Sequence, residues 1–350
     1  MAASITAFPV TTRSRLGLLT GLICLAVALV SMVLQPEAAL QGWLTGFCFL
    51  SDIAFGGLIL ASMMRLIPGL WDDELERFSD AVAALLPFAA LAFLPILIGA
   101  AWLYDWQASA DKGVFRELWM TLPFWTVRAI LFLLFASVSA LLMVRRQTDK
   151  PALPITALVI YTAGFMVIAV DWYLFLDPEA HFSGFSLTRM SVQFLGALCV
   201  SIMMAVSSAA KLKRPEILGS LLMAALLAWA YFAFMQYFIT WSDNLPFGVR
   251  WYGERGAGLW GLLEVAFTAL RLAPLLLLLA TPIRQSRRWL FWLSAAVLFG
   301  NALETLWLIA PAGGHGTAVL PWALLSLFGL TLLAAPRLAS RAARAKEVAR

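Results

Sequence analysis

Six ionisable residues lie inside long apolar runs of this chain: Asp52, Arg128, Asp171, Glu264, Arg271 and Glu304. Charges are costly in hydrocarbon and face a bundle interior or a cavity, so these residues point to proton handling or to binding of a polar headgroup. At ~1.5 Å rise per residue, Arg128 and Asp171 stand at similar depths in their runs, and so do Glu264 and Glu304. A carboxylate beside an arginine stays ionised, whereas one without a cationic partner in an apolar site can carry a proton. Asp171 is therefore expected to pair with Arg128, with Asp52 joining that cluster. Glu264 and Glu304 are expected to share a proton. Arg271, seven residues beyond Glu264, reaches it only along the helix. The alternative role for all six is to lock helix packing through buried ion pairs. Tyr161, Tyr173, Gln236, Tyr237, Thr240 and Asn301 would serve either as relay groups or as interhelical glue.

The elements that position these groups follow from composition. Of 350 residues, 62% are apolar and 13% charged, about half the charged share of a soluble domain, and the mean hydropathy is +0.86. This is an all-α polytopic membrane protein, which excludes a soluble enzyme, a disordered chain and a secreted disulfide scaffold. About ten transmembrane helices are expected, near 15–34, 41–66, 80–104, 119–144, 153–176, 187–210, 216–241, 256–281, 288–310 and 317–335. The matched polar depths suggest two four-helix bundles, spans 2–5 within 35–176 and spans 6–9 within 187–310. A last span (317–335) and a basic tail (336–350) complete a single membrane domain.

Of the 25 Lys and Arg residues, 18 fall on one side of this alternation, 5 on the other and 2 (Arg128 and Arg271) inside spans. The positive-inside rule then places both termini in the cytoplasm. Trp106, Trp119, Trp172, Trp241, Trp251 and Trp260 near span ends read as an interfacial belt. Loops 105–118 and 242–254 are expected on the outer face, and 71–78 (WDDELERF) as a solvated cap on the inner one. The two histidines, His181 and His315, both fall in loops, so no facing pair is available for a haem between helices. Cys24, Cys48 and Cys199 have no C-x-x-C spacing and read as small buried hydrophobes. Serine-hydrolase, P-loop and zinc-protease signatures are absent.

The run YFAFMQYFITWSDNLPFGVRWYGER (Tyr231–Arg255) is the most distinctive of the chain. It resembles a segment of the ActF family, the integral membrane subunits of bacterial alternative complex III (quinol:cytochrome c oxidoreductase), within the wider NrfD or polysulfide-reductase-like group. The matching residues include Gln236, Trp241, Asn244, Leu245 and Pro246. LPFWTVRAILF is similar to the family's arginine-bearing span and places Arg128 on that arginine. AVDWYLFLDPEAHFS keeps Asp171, Trp172, Asp177, Pro178 and a displaced His181. ETLWLIAP carries Glu304 where the family has Asp, and LAFLPILIGAAWLYDW resembles the third span. Three family histidines are replaced, two by Met64 and Arg65 of MMRLIPGLW in the second span and one by Leu270 in the eighth.

The resemblance implies a non-catalytic subunit of an oxidoreductase complex in a bacterial inner membrane. It implies no cofactor bound by this chain, with quinone or quinol as the candidate small molecule. The implied partners are a multihaem cytochrome, an iron–sulfur subunit, a second ten-span quinone-binding subunit and lipid, with no nucleic acid. The implied role is a scaffold with a proton half-path near the periplasmic side. A secondary transporter and a purely structural anchor subunit are the competing readings. The first would show broken helices at mid-membrane.

Overall fold

The computed structural model describes residues 12–104, 119–145, 151–177, 182–208, 212–242 and 245–348. The described residues are all helix and turn, with no strand. In chain order the helices are α1 (Thr12–Leu34), α2 (Pro36–Leu66), α3 (Asp72–Ala83), α4 (Leu86–Ala92), α5 (Leu94–Leu103), α6 (Leu122–Arg145) and α7 (Ala152–Trp172). They continue as α8 (Phe185–Ser207), α9 (Pro215–Ser242), α10 (Pro246–Arg255), α11 (Gly258–Leu277), α12 (Thr281–Arg284), α13 (Arg287–Ile309) and α14 (Leu320–Val348). Among the described residues nine helices are long and apolar enough to cross a membrane, and the bent pair formed by α3–α4 and α5 makes up to ten. By helix length and hydropathy the chain is a multi-pass integral membrane protein.

The third span is not a straight helix. It turns by 51° between Ala92 and Leu94, because Pro95 has no N–H to give and its ring displaces the carbonyl four residues back. Non-helical backbone at membrane depth must find new partners. Here the Trp43 indole N–H donates to the Ala92 carbonyl at 2.8 Å. Phe93 fills the bend, with its ring centroid 5.0 Å from Phe47 and 4.9 Å from Trp172.

Helix α2 is the axis of the molecule, buried along nearly its whole length. On one side α3–α7 close around it over an aromatic core that includes Phe55, Trp125, Phe132, Tyr161 and Phe165. On the other, α8 packs along α2 and carries α9, α11 and α13 around an aliphatic core of Leu198, Leu222, Leu226, Leu290 and Val297. Small residues allow these close approaches. A Cβ on Gly56 would overlap the Gln193 backbone of α8, and one on Gly42 would meet Trp322 and Ala323 of α14. The Ser326 hydroxyl donates to the Gly42 carbonyl at 2.6 Å. Helix α1 rests on α14 and exposes Leu19, Ile23, Val30 and Val33, as a lipid-facing helix should.

Two expected surface segments are structural instead. WDDELERF is no solvated cap, because an amphipathic face buries Leu75 and Phe78 in α3. The Glu74 carboxylate accepts the backbone N–H groups of Lys213 and Arg214 at 2.8 and 3.1 Å, tying α3 to the start of α9. The expected loop 242–254 folds from residue 246 into α10, which starts at Pro246, where a missing N–H costs nothing. Loop 105–118 lies outside the described residues.

Candidate functional site

Four buried charges from four helices form one alternating chain. Asp52 comes from α2, Arg189 from α8, Glu304 from α13 and Arg271 from α11, and their exposures are 4, 2, 8 and 0%. Asp52 pairs directly with Arg189. Arg189 Nη1 lies 3.3 Å from Glu304 Oε2, and Arg271 Nη2 lies 2.7 Å from that same oxygen. Uncharged donors and acceptors complete the set. Gln193 Nε2 donates to Asp52 Oδ1 at 2.8 Å, and the Tyr173 hydroxyl reaches both Asp52 oxygens at 3.1 and 3.2 Å. Arg271 donates to Asn301 Oδ1 at 2.7 Å, and Tyr161 donates to Gln193 Oε1. Two acids and two arginines leave the cluster electrically balanced, the condition under which buried charges persist.

Helix periodicity explains how each element presents its groups. Arg189 and Gln193 are four residues apart on α8, and Asn301, Glu304 and Thr305 share one face of α13. Helix side chains lean toward their own N-terminus. Helices α11 and α13 run in opposite directions, so Arg271 and Glu304 lean toward each other and meet. The expectation that Glu264 and Glu304 share a proton is thereby overturned, since Glu304 is bound by two guanidinium groups. The error lay in equating the depth of a backbone with the depth of a long side chain's head. The structure also separates Asp52 from the first cluster. Arg128 and Asp171 pair at 2.8 Å between α6 and α7, with Arg128 stacked 4.3 Å from the Trp119 ring.

Arg189 was the residue missed, because it stands in the second turn of its helix and counts there as a loop charge. Its signal is the i, i+4 spacing to Gln193, a polar pair on an otherwise apolar face. Arg255 likewise reads from sequence as a loop cation. It is fully buried, stacked 4.0 Å from the Trp251 ring with Nη1 3.8 Å from Asp177. Its carbonyl accepts the Trp307 indole N–H at 3.2 Å, so one residue fastens α10 to α13. Burial presses Arg255 down to about 10, against the pull of Asp177 and Glu254, and it remains a cation at neutral pH.

Beside the ion chain lies a cavity of about 420 Å³ between α8, α9, α10, α11 and α13. Aromatic walls come from Trp229 and Tyr237 of α9, Trp251 and Tyr252 of α10, Phe267 of α11 and Trp307 of α13. Arg189 and Glu304 bring the ion chain to its surface, and Gln236, Thr188 and Glu264 add polar groups. Gln236 accepts from Thr188 at 3.2 Å and donates to the Tyr252 oxygen at 3.5 Å. Burial pushes the Tyr252 phenol up to about 12, with the nearby Glu264 acting in the same direction, so it stays protonated. Glu264 itself has no hydrogen bond or ion pair among the described residues. The cavity opens toward the membrane side, where Phe234 and Leu272 are exposed.

No protein-family model and no curated protein matches the chain.

The remaining sequence candidates take different places. Trp172 and Trp251, expected in an interfacial belt, are buried, Trp172 in the aromatic core and Trp251 in the cavity wall. Trp241 is exposed at the end of α9. Leu245 and Pro246 form the start of α10, with the Leu245 N–H on the Thr240 carbonyl at 3.3 Å. Pro178, His181 and Asn244 lie outside the described residues. Cys48 and Cys199 are buried, and no cluster of three His, Cys, Asp or Glu suited to a metal ion occurs among the described residues.

Proposed function

We propose that this chain is the membrane subunit of a respiratory quinol-oxidising complex, of the kind formed by bacterial alternative complex III. In that role it lies in a bacterial inner membrane with both termini cytoplasmic. It holds no redox centre of its own and docks against haem-bearing and iron–sulfur subunits and a second ten-span subunit. The observation that carries this reading is the convergence of separate motifs on one cavity. Gln236, Trp251 and Tyr252 from the 231–255 run, and Glu304 with Trp307 from ETLWLIAP, line the same space, although about 50 residues separate the two segments.

The chemistry of the space suits a quinol. Its volume falls in the ~300–1,000 Å³ range of small-molecule sites, with apolar walls and a few polar groups to fix orientation. A quinol ring stacks on the aromatic walls, and its apolar tail leaves past Phe234 and Leu272 into lipid. Glu264, at the cavity surface and with no ion pair among the described residues, is the group to take a proton from a quinol hydroxyl. Glu304, committed to two arginines, holds the wall. The electrons pass to partner subunits.

A transporter would place a broken helix at its polar site. The break at Phe93 is instead packed with aromatic rings and gives no residue to the ion chain. The test is a mild-detergent purification through a tag on this chain, with a haem stain and identification of what accompanies it. A second arm is photolabelling with a light-activated quinone analogue. Co-purified haem protein and label within 229–237 or 251–272 are expected. A lone haem-free chain refutes the complex, and label elsewhere refutes the cavity as the quinol site.

A further inference from the structure

Near the end of the bundle where α6 and α14 finish, a space of about 480 Å³ opens between the α3–α4 junction, α6 and α14. We propose that it holds the headgroup of one anionic phospholipid, with the phosphate on Arg337 and the acyl chains along the exposed apolar faces of α4 and α6.

The fold sets the cation in place. Arg337 and Ser340 line the space from α14, together with Ala84 and Phe88 of the α3–α4 junction and Leu141 of α6. The Arg337 guanidinium lies 4.2 Å from the centroid of the Phe88 ring, and its Nη1 donates to the Leu333 carbonyl one turn back. A guanidinium stacked on a ring still presents N–H groups in the plane of its fork, the geometry that matches two phosphate oxygens. Arg337 forms no ion pair among the described residues, and no carboxylate lines the space. Asp80, one turn before Ala84 on α3, is taken by Arg65 through hydrogen bonds of 2.9 and 2.8 Å. Both known partners of Arg337, a ring and a carbonyl, are neutral, so its charge calls for an anion from outside these elements.

The level of the space and its surroundings select the anion. Arg337 stands in the last turn of the apolar stretch Gly316–Ser340, and Leu141 one turn before the end of α6. The guanidinium is therefore at the boundary between hydrocarbon and headgroups. From there an apolar lane leads toward the bilayer centre. Leu91 lines the space and is 63% exposed, and the exposed Val138 and Leu134 continue the face of Leu141 along α6. Such a lane takes acyl chains, which a soluble anion lacks. A volume of 480 Å³ amounts to about one turn of a helix ~10–12 Å across, too little to seat a spanning helix of a partner. Basic pockets between membrane helices bind anionic headgroups. Seated here, the phosphate joins the last span to the start of the third.

The test uses the full-length chain in detergent, titrated with phosphatidylglycerol or with phosphatidylcholine and read by native mass spectrometry. One phosphatidylglycerol adduct, favoured about fivefold over phosphatidylcholine, is expected from one arginine at headgroup level. Arg337→Gln changes an exposed side chain and should bring the two lipids to parity with the elution profile intact. Arg288→Gln, at an exposed arginine outside this space, should leave the preference unchanged. Glycerophosphoglycerol, the headgroup without chains, should give no adduct at the same concentration. Equal affinity of the wild-type chain for the two lipids overturns the proposal. A preference that survives Arg337→Gln or falls equally in Arg288→Gln does so too, as does an adduct with glycerophosphoglycerol as tight as that with the lipid. A polypeptide, rather than lipid, crosslinked from a photoreactive residue at position 340 in native membranes would also overturn it.

Discussion

Replacing Glu304 by Gln tests the balance of the buried ion chain. The wild-type cluster holds two acids and two arginines, all within a tenth of full burial. Glu304→Gln leaves Arg189 and Arg271 with Asp52 alone, a surplus of one positive charge in a site with no route to water for Arg271, which is fully buried. Removing one partner of a buried pair costs about 3–5 kcal/mol, because the remaining charge keeps its desolvation cost without its counterion. Arg271→Met should cost a similar amount, since Glu304 then rests on Arg189 at 3.3 Å. If the two changes were independent, the double variant would lose about 6–10 kcal/mol. The geometry demands otherwise. Glu304→Gln with Arg271→Met restores neutrality, leaves the Asp52–Arg189 pair intact and puts a Met against Trp229 and Phe267, where Arg271 now stacks at 4.5 and 5.5 Å. The double variant should therefore unfold within about 1–2 kcal/mol of wild type. The assay is reversible unfolding in mixed micelles followed by tryptophan fluorescence, carried through the full double-mutant cycle. A double variant as unstable as the sum of the singles would refute the ion chain as the organising contact of these helices.

Two further outcomes follow from the same packing. Gly56→Val should abolish the monodisperse folded peak in size-exclusion chromatography, because its Cβ would overlap the Gln193 backbone, whereas Gly17→Ala, with nothing within 4 Å of its Cβ, should leave the peak unchanged. Asp171→Asn should cost about 1–3 kcal/mol in the same unfolding assay, less than Glu304→Gln, because Arg128 is partly exposed, stacks on Trp119 and donates to the Trp119 carbonyl at 2.9 Å.

The spans were legible because each needs only a continuous apolar run, a property of neighbours in sequence. The bend of the third span was not, since a single Pro95 in such a run leaves hydropathy unchanged while it turns the backbone by 51°. Helix α10 was hidden for the opposite reason. PFGVRWYGER is too polar and too rich in glycine for a membrane helix, and it folds because Trp251 and Arg255 are buried by other elements. The Arg128–Asp171 pair could be anticipated because depth alone brings the two groups together. The second cluster needed the rotation of four helices about their axes, which no count of residues from a span end contains. Arg189 and Arg255 show the resulting bias, as a cation near a helix end is indistinguishable by sequence from one that anchors a loop.

The two cavity carboxylates are set apart by what their helices face. Glu304 turns toward Arg271 and Arg189 and thereby joins α11 and α13 to α8 and, through Asp52, to α2. Glu264, seven residues before Arg271 on the same helix, faces the cavity and makes no hydrogen bond or ion pair among the described residues. One acid therefore fixes how α11 and α13 meet α8, and the other is available to whatever enters. Because Glu304 also lines the cavity, a bound molecule touches the contact that joins α8, α11 and α13. Binding there and the stability of the α2–α8 interface are consequently linked: a ligand that strengthens the Glu304 network must raise the unfolding midpoint, by mass action on the folded state alone. In Glu304→Gln with Arg271→Met the fold is retained but that contact is gone, so the same ligand should bind without the full gain in stability.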